Sequence, residues 1–287
     1  MQDLIKIIIG VTFFALKLSL GLNIAIEQLT FLKTRQDLLK RSLLAVDFLV
    51  PVVAFLIVVL FRVPAEIGIA ILLMAASPGS PLTSTKVRKK EGNFAYGASL
   101  QLTVALLAVV TTPLTLAIMF AFLPFNVQVE ISPFAIAKQV ITAQFIPIGI
   151  GVFIRETFPA IADKIGKPLA KIADLALVGI TILILVKTFK FVLQINFPSL
   201  VAIVVMVAAS LAIGYFLGGP EPNHRHTLAL VSATRNVGLA FLIASLNFPM
   251  EYILPNLIPY VFLGAIVEAI YIKKFRKQLE NNQVNEP

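Results

Sequence analysis

Arg235 and Asn236 stand together in the run Val231-Ser-Ala-Thr-Arg-Asn-Val-Gly-Leu-Ala240, midway along an apolar segment from about Thr227 to Asn247. A guanidinium at the half-depth of a bilayer costs about 3 kcal/mol on insertion scales, so it must face a partner or an aqueous cavity. Its charge is permanent, which suits it to attract an anion or to stand in for a cation. A second polar interruption, Ser77-Pro-Gly-Ser-Pro81, lies in another apolar segment. Two prolines and a glycine stop the helical hydrogen-bond ladder there and turn backbone N–H groups toward an anionic ligand. Ser77, Gly79 and Ser80 are therefore candidate substrate contacts alongside Arg235 and Asn236. Lys17, inside the first apolar segment, is a further candidate, although its long stem could instead snorkel to the membrane surface. Asp47, in Leu44-Ala-Val-Asp-Phe-Leu-Val-Pro51, supplies a carboxylate for pairing or proton relay.

The elements that must hold these residues are membrane spans. Of 287 residues 58% are hydrophobic and 14% charged, with a mean hydropathy of +0.92. A soluble domain carries about 25% charged residues, and no soluble core hides this much apolar surface. The absence of cysteine excludes disulfides and thiolate metal sites. No cationic region and small-residue cleavage site precede the first apolar stretch, which reads as a retained span.

Nine segments are long enough to cross: 4–24, 42–61, 64–87, 92–123, 134–154, 173–191, 200–217, 227–248 and 252–272. Lys and Arg set the orientation. With the N-terminus outside, clusters around Lys33–Arg41, Lys86–Lys90, Arg155–Lys171 and Lys273–Lys277, with Arg225, all fall inside. Only Lys6, Arg62, Lys138, Lys187 and Lys190 fall outside, so the reading is N-out, C-in. The third and eighth spans are the interrupted ones. Their separation by five suggests an inverted repeat in which nine spans are four plus five, and such paired interruptions mark a transporter's binding site.

At these residues the chain resembles the bile acid:sodium symporter family. Pro64-Ala-Glu-Ile…Ser77-Pro-Gly-Ser is similar to that family's first broken helix, and Asn236-Val-Gly-Leu-Ala240 to the second. Gly92-Asn93, Thr112-Pro113 and Ser19-Leu-Gly-Leu22 also match. The resemblance implies two sodium ions at the crossing of the broken helices. The positions that would hold them carry Thr83, Ser84, Gly97, Gln101, Val231 and Arg235 here. Val231 replaces a carboxylate and Arg235 a glutamine. Without the acid a hard cation loses its charged oxygen ligand, and a guanidinium repels sodium. The substitutions argue against sodium coupling in the family's manner, and predict that Arg235, paired with Asp47, replaces one sodium. No cofactor is expected, and a proton is left open as coupling ion.

Other residues have plainer readings. His224 and His226 flank Arg225 in an expected solvated loop. Lys86-Val-Arg-Lys-Lys90 reads as a topology anchor against anionic lipid rather than a nucleic-acid patch. Glu268 in the last span reads as a helix-pairing or proton group, and the tail 281–287 as disordered. No Ser/His/Asp set or phosphate loop is present, so an enzyme is not expected.

The expected fold is thus an all-α membrane protein of nine transmembrane helices, two of them broken and crossing at mid-membrane. By the resemblance, 1–41 and 134–196 form a panel, and 42–133 and 197–287 a core. The expected function is secondary transport of an organic anion, a small carboxylate or an amphipathic one, across the cell membrane by alternating access. The rivals are a sodium-independent carrier of the auxin-efflux type and a membrane ligand sensor that does not transport. The sequence carries no signal of oligomeric state.

Overall fold

The structure, a computed structural model, describes residues 2–24, 31–32, 34–80, 83, 86–87, 92–123 and 132–284. Among them every regular element is helical. In chain order these are α1 (Gln2–Asn23), α2 (Gln36–Leu60), α3 (Ala65–Ala75), α4 (Phe94–Ala121), α5 (Pro133–Thr157), α6 (Pro159–Leu193), α7 (Phe197–Leu217), α8 (Pro222–Ala233), α9 (Val237–Asn247) and α10 (Met250–Val284). Eight stretches, with α8–α9 counted as one, are long and apolar enough to cross a membrane, and α3 is a shorter apolar helix ending at the first break. Helix occupies each of the nine segments read from the sequence, and the protein is an integral membrane protein. Burial sorts the spans: over an apolar 18-residue window, 94% of the α8–α9 stretch is enclosed by protein against 22% of α6. Ile172, Val178 and Val186 of α6 face outward, as lipid contact requires.

Both breaks have local causes. In the first, Gly79 takes a φ of 74°, a left-handed conformation that side chains other than glycine's resist. A Cβ there would also lie 2.9 Å from the Cα of Ala105 on α4. In the second, α8 ends at Ala233, and α9 restarts on Asn236, whose side chain accepts the amide of Leu239 at 3.1 Å. That is the cap a new helix start favours. Two uninterrupted spans carry a widened π turn instead, at Leu44–Leu49 before Pro51 and at Ile141–Phe145 before Pro147. Each proline lacks an N–H and repels the carbonyl four residues back, which a wider turn accommodates.

Helix α1 lies along α5 and α6. It meets α5 backbone to backbone: a Cβ on Gly21 would fall 2.3 Å from the carbonyl oxygen of Ile148, and one on Gly151 would fall 2.5 Å from that of Leu18. The glycine of the Ser19-Leu-Gly-Leu22 motif thus serves helix contact. Helix α7 packs along α8, while α10 packs on α3, α6 and α7.

Several expected boundaries move. Helix α6 begins at Pro159 and carries Lys164, Lys167 and Lys171 within it, and α10 continues through 281–284, which were expected to be disordered. His224 and His226 are not in a solvated loop. They lie in the first turns of α8, at 4% and 0% exposure, and His226 stacks on Phe275 with ring centres 3.9 Å apart.

Candidate functional site

The two breaks touch. The amide of Asn236 donates to the carbonyl of Ser77 at 2.9 Å, and its side-chain nitrogen reaches the carbonyls of Pro78 and Gly79 at 3.4 and 3.3 Å. Ser77 fastens its own hydroxyl to the carbonyl of Leu73 at 2.7 Å. Ser80 is buried, and its carbonyl accepts the amide of Thr83. Carbonyls freed by the first interruption are thus taken by donors of the second, as irregular chain inside a membrane requires.

Arg235 sits in this crossing at 3% exposure. Its Nε donates to the carbonyl of Met74 at 3.1 Å and one terminal nitrogen to that of Ala75, at the C-terminal end of α3. The other terminal nitrogen donates to the carbonyls of Val46, at 3.3 Å, and Ser232, at 3.4 Å. Four main-chain oxygens from three segments therefore surround one cation. Carbonyls at a helix C-terminus carry partial negative charge and attract such a group. The Val46 carbonyl comes from the π turn of α2, so that irregularity helps build the cage.

The ion pair expected between Arg235 and Asp47 is not formed. Asp47 accepts instead from the hydroxyl of Thr111 on α4 at 3.3 Å. Asp47 also lines a groove with Phe48, Pro51, Thr115 and Met119. Asp47 and Arg235 still interact electrostatically without touching. The guanidinium, in turn, faces carbonyls.

Lys17 does not snorkel. It is fully buried, donates from Nζ to the carbonyl of Gly79 at 3.2 Å, and lies 5.1 Å from the ring centre of Phe13. No carboxylate among the described residues lies within ion-pair distance of it. It joins α1 to the unwound strand of the first break, whose Gly79 carbonyl Asn236 also uses.

Of the positions aligned with the sodium ligands, Ser84 lies outside the described residues, as do Lys33 and Arg88–Lys90 of the expected cation clusters. Thr83 is buried, and its hydroxyl has no hydrogen-bond partner among the described residues. Gly97 packs against Val87, and Gln101 is buried on α4. Val231 shares an apolar cluster with Val46, Tyr96 and Leu100, so hydrocarbon fills the place where the resemblance implies a carboxylate.

One cluster escaped the sequence reading. Lys86, expected to be a surface anchor, turns inward: its Nζ lies 2.5 Å from Oε2 of Glu268 and 3.4 Å from Oγ1 of Thr234. Thr234 donates to Oε1 of Glu268 at 3.2 Å. An acid in the last span and a lysine one helical turn after Thr83 were the available signals.

The model of the sodium bile acid symporter family matches residues 10–196. Human sodium/bile acid cotransporter 4 is 28% identical over 214 residues, which cover 71% of this chain and 48% of the human protein. The mouse protein of the same name is equally similar, at 28% over 211 residues, 71% of this chain and 47% of its own length. This chain therefore spans about half the length of these mammalian relatives. A Bacillus subtilis protein described as the uncharacterized sodium-dependent transporter YocS is 24% identical over 284 residues, 96% of this chain and 84% of that protein. With the family model covering well over half of its length, this chain belongs to the sodium bile acid symporter family.

Proposed function

We propose that this protein is a secondary transporter of organic anions that works by alternating access, and that Arg235 supplies permanently the charge that a dissolved sodium ion supplies in relatives. The names of the similar proteins support transport and, for them, sodium. The observation that carries the sodium-free reading is the cage of four carbonyl oxygens around the Arg235 guanidinium. Main-chain oxygens also suit a hard cation, and an arginine that never loses its proton keeps such a place filled. Its field, added to that of Lys17, makes the crossing a positive region that favours carboxylates over cations. Lys17 is the better candidate for direct contact, because among the described residues a single carbonyl holds its ammonium.

The test is a thermal-shift screen of purified protein against organic anions from pyruvate to cholate, in sodium chloride and in choline chloride. A ligand that binds only the folded protein raises its melting temperature. The expected result is an equal rise in both salts, followed by uptake of that anion into proteoliposomes without a sodium gradient. Stabilisation or uptake that requires sodium would overturn the reading, while binding without uptake would favour a sensor. Arg235→Gln is expected to lose activity or acquire a sodium response; unchanged uptake with no sodium response would refute the role of Arg235.

A further inference from the structure

Lys86, Thr234 and Glu268 make a closed set of contacts that joins the limb after the first break, the second break and α10. The two charges differ in reach. The side chain of Glu268 is 7% exposed and that of Lys86 is 32% exposed, so the carboxylate is fixed inside while its cation is within reach of solution. Among the described residues each carboxylate oxygen has one bond, from Lys86 on one side and from the Thr234 hydroxyl on the other. An isolated carboxylate at this depth is strongly disfavoured, so a positive charge must accompany Glu268. An ammonium on a flexible stem is a compact, strongly hydrated point charge without the fork of an arginine, and it fills a place that a small metal ion could fill. Carboxylate and hydroxyl oxygens are the donors that hard cations take. A further hydroxyl, that of Thr83, is 1% exposed and unpartnered among the described residues, three positions before Lys86.

We propose that Glu268 and Thr234 form a binding site for a monovalent metal cation, and that the tethered ammonium of Lys86 is its resident occupant. Neither Glu268 nor Lys86 falls on a position that the family resemblance assigns to sodium. The proposal concerns a second place for positive charge, separate from the Arg235 cage, and it requires no knowledge of the transported anion. Removing the tether opens the site, and dissolved sodium or potassium then restores the charge that Glu268 needs.

The experiment uses the purified full-length protein, melted in sodium, potassium or choline chloride at equal ionic strength. The unaltered protein is expected to melt at the same temperature in all three, because Lys86 competes at very high local concentration. Lys86→Ala is expected to melt lower in choline and to regain several degrees, saturably, in sodium or potassium. The double variant Lys86→Ala/Glu268→Gln loses that response. Lys86→Gln serves where the alanine variant does not purify, with the same expectation, and purification of either variant only in the presence of sodium or potassium also supports the site. Identical melting of the purified Lys86 variants in the three salts would overturn the proposal: Glu268 would then simply take up a proton, with Lys86 as a plain structural partner. A cation response that survives Glu268→Gln would overturn it equally.

Discussion

Among the described residues, Lys17 is buried with a single backbone acceptor and an aromatic face for company. A charge so placed destabilises the protein unless a ligand completes it. Lys17→Met, which keeps the stem and removes the charge, is expected to stabilise the ligand-free protein by about 1–2 kcal/mol. The same variant should weaken anion binding at least about tenfold, as loss of a hydrogen bond to a charged group does. Melting curves with and without the stabilising anion check both; unchanged anion binding would remove Lys17 from the site. Arg235 calls for the opposite expectation, because its donors are already paired. Arg235→Gln removes the charged donor from four buried carbonyls, of which that of Met74 keeps the amide of Ser77, with an expected loss of about 2–4 kcal/mol. Arg235→Lys should recover only part of that, since an ammonium cannot span the same acceptors. A lysine variant as stable as the parent would show that charge alone matters there. Arg235, Asn236 and Lys17 stood out in the sequence because charge and amide are rare at membrane depth, and all three are buried where the breaks meet. The partner of Arg235 did not, since sequence position does not say which way Asp47 points. Lys86 was misread for a related reason: counting cations by side of the membrane ignores a stem long enough to reach back.

The helix breaks were legible because proline and glycine act locally, whatever the rest of the chain does. Gly79 is the position where this can be tested most sharply. Gly79→Ala must adopt a left-handed φ and drive its Cβ toward the backbone of Ala105. The strain alone amounts to about 1–2 kcal/mol, with the collision added. Adding Ala105→Gly removes one of the contacting atoms, but the Cα and amide nitrogen of residue 105 remain within 3.0 Å. Little rescue is therefore expected in chemical or thermal denaturation; full rescue would mean that the strand beside α4 has slack. Helix length was less legible. Apolar windows close where lysines begin, yet α6 continues through Lys164, Lys167 and Lys171, because lysine is a good helix former and its charge can stay in water. The same window logic ended the eighth span at Thr227 and left His224 and His226 in a loop. The helix in fact starts at Pro222, whose fixed φ suits a first turn, and aromatic partners on α10 cover His226.

At the scale of the whole molecule, the direct contacts between α1 and the crossing carry the mechanical argument. Lys17 reaches the first break, and Gly238, just past the second, would bring a Cβ within 2.8 Å of the ring of Phe13. If α1 moves with α5 and α6 as one body, and the crossing belongs to another, alternating access must break these contacts in each cycle. The packing of α1 along α5 and α6 through Gly21 and Gly151 supports that grouping. The chain has no cysteine, so an introduced pair can be cross-linked without background. Phe13→Cys with Gly238→Cys, joined by a short reducible thiol reagent, is expected to stop uptake of the stabilising anion into proteoliposomes, and reduction should restore it. Each single variant treated alike controls for damage at either residue. Uptake that continues in fully cross-linked protein would mean that α1 and the crossing travel together, and that the moving boundary runs elsewhere in the bundle.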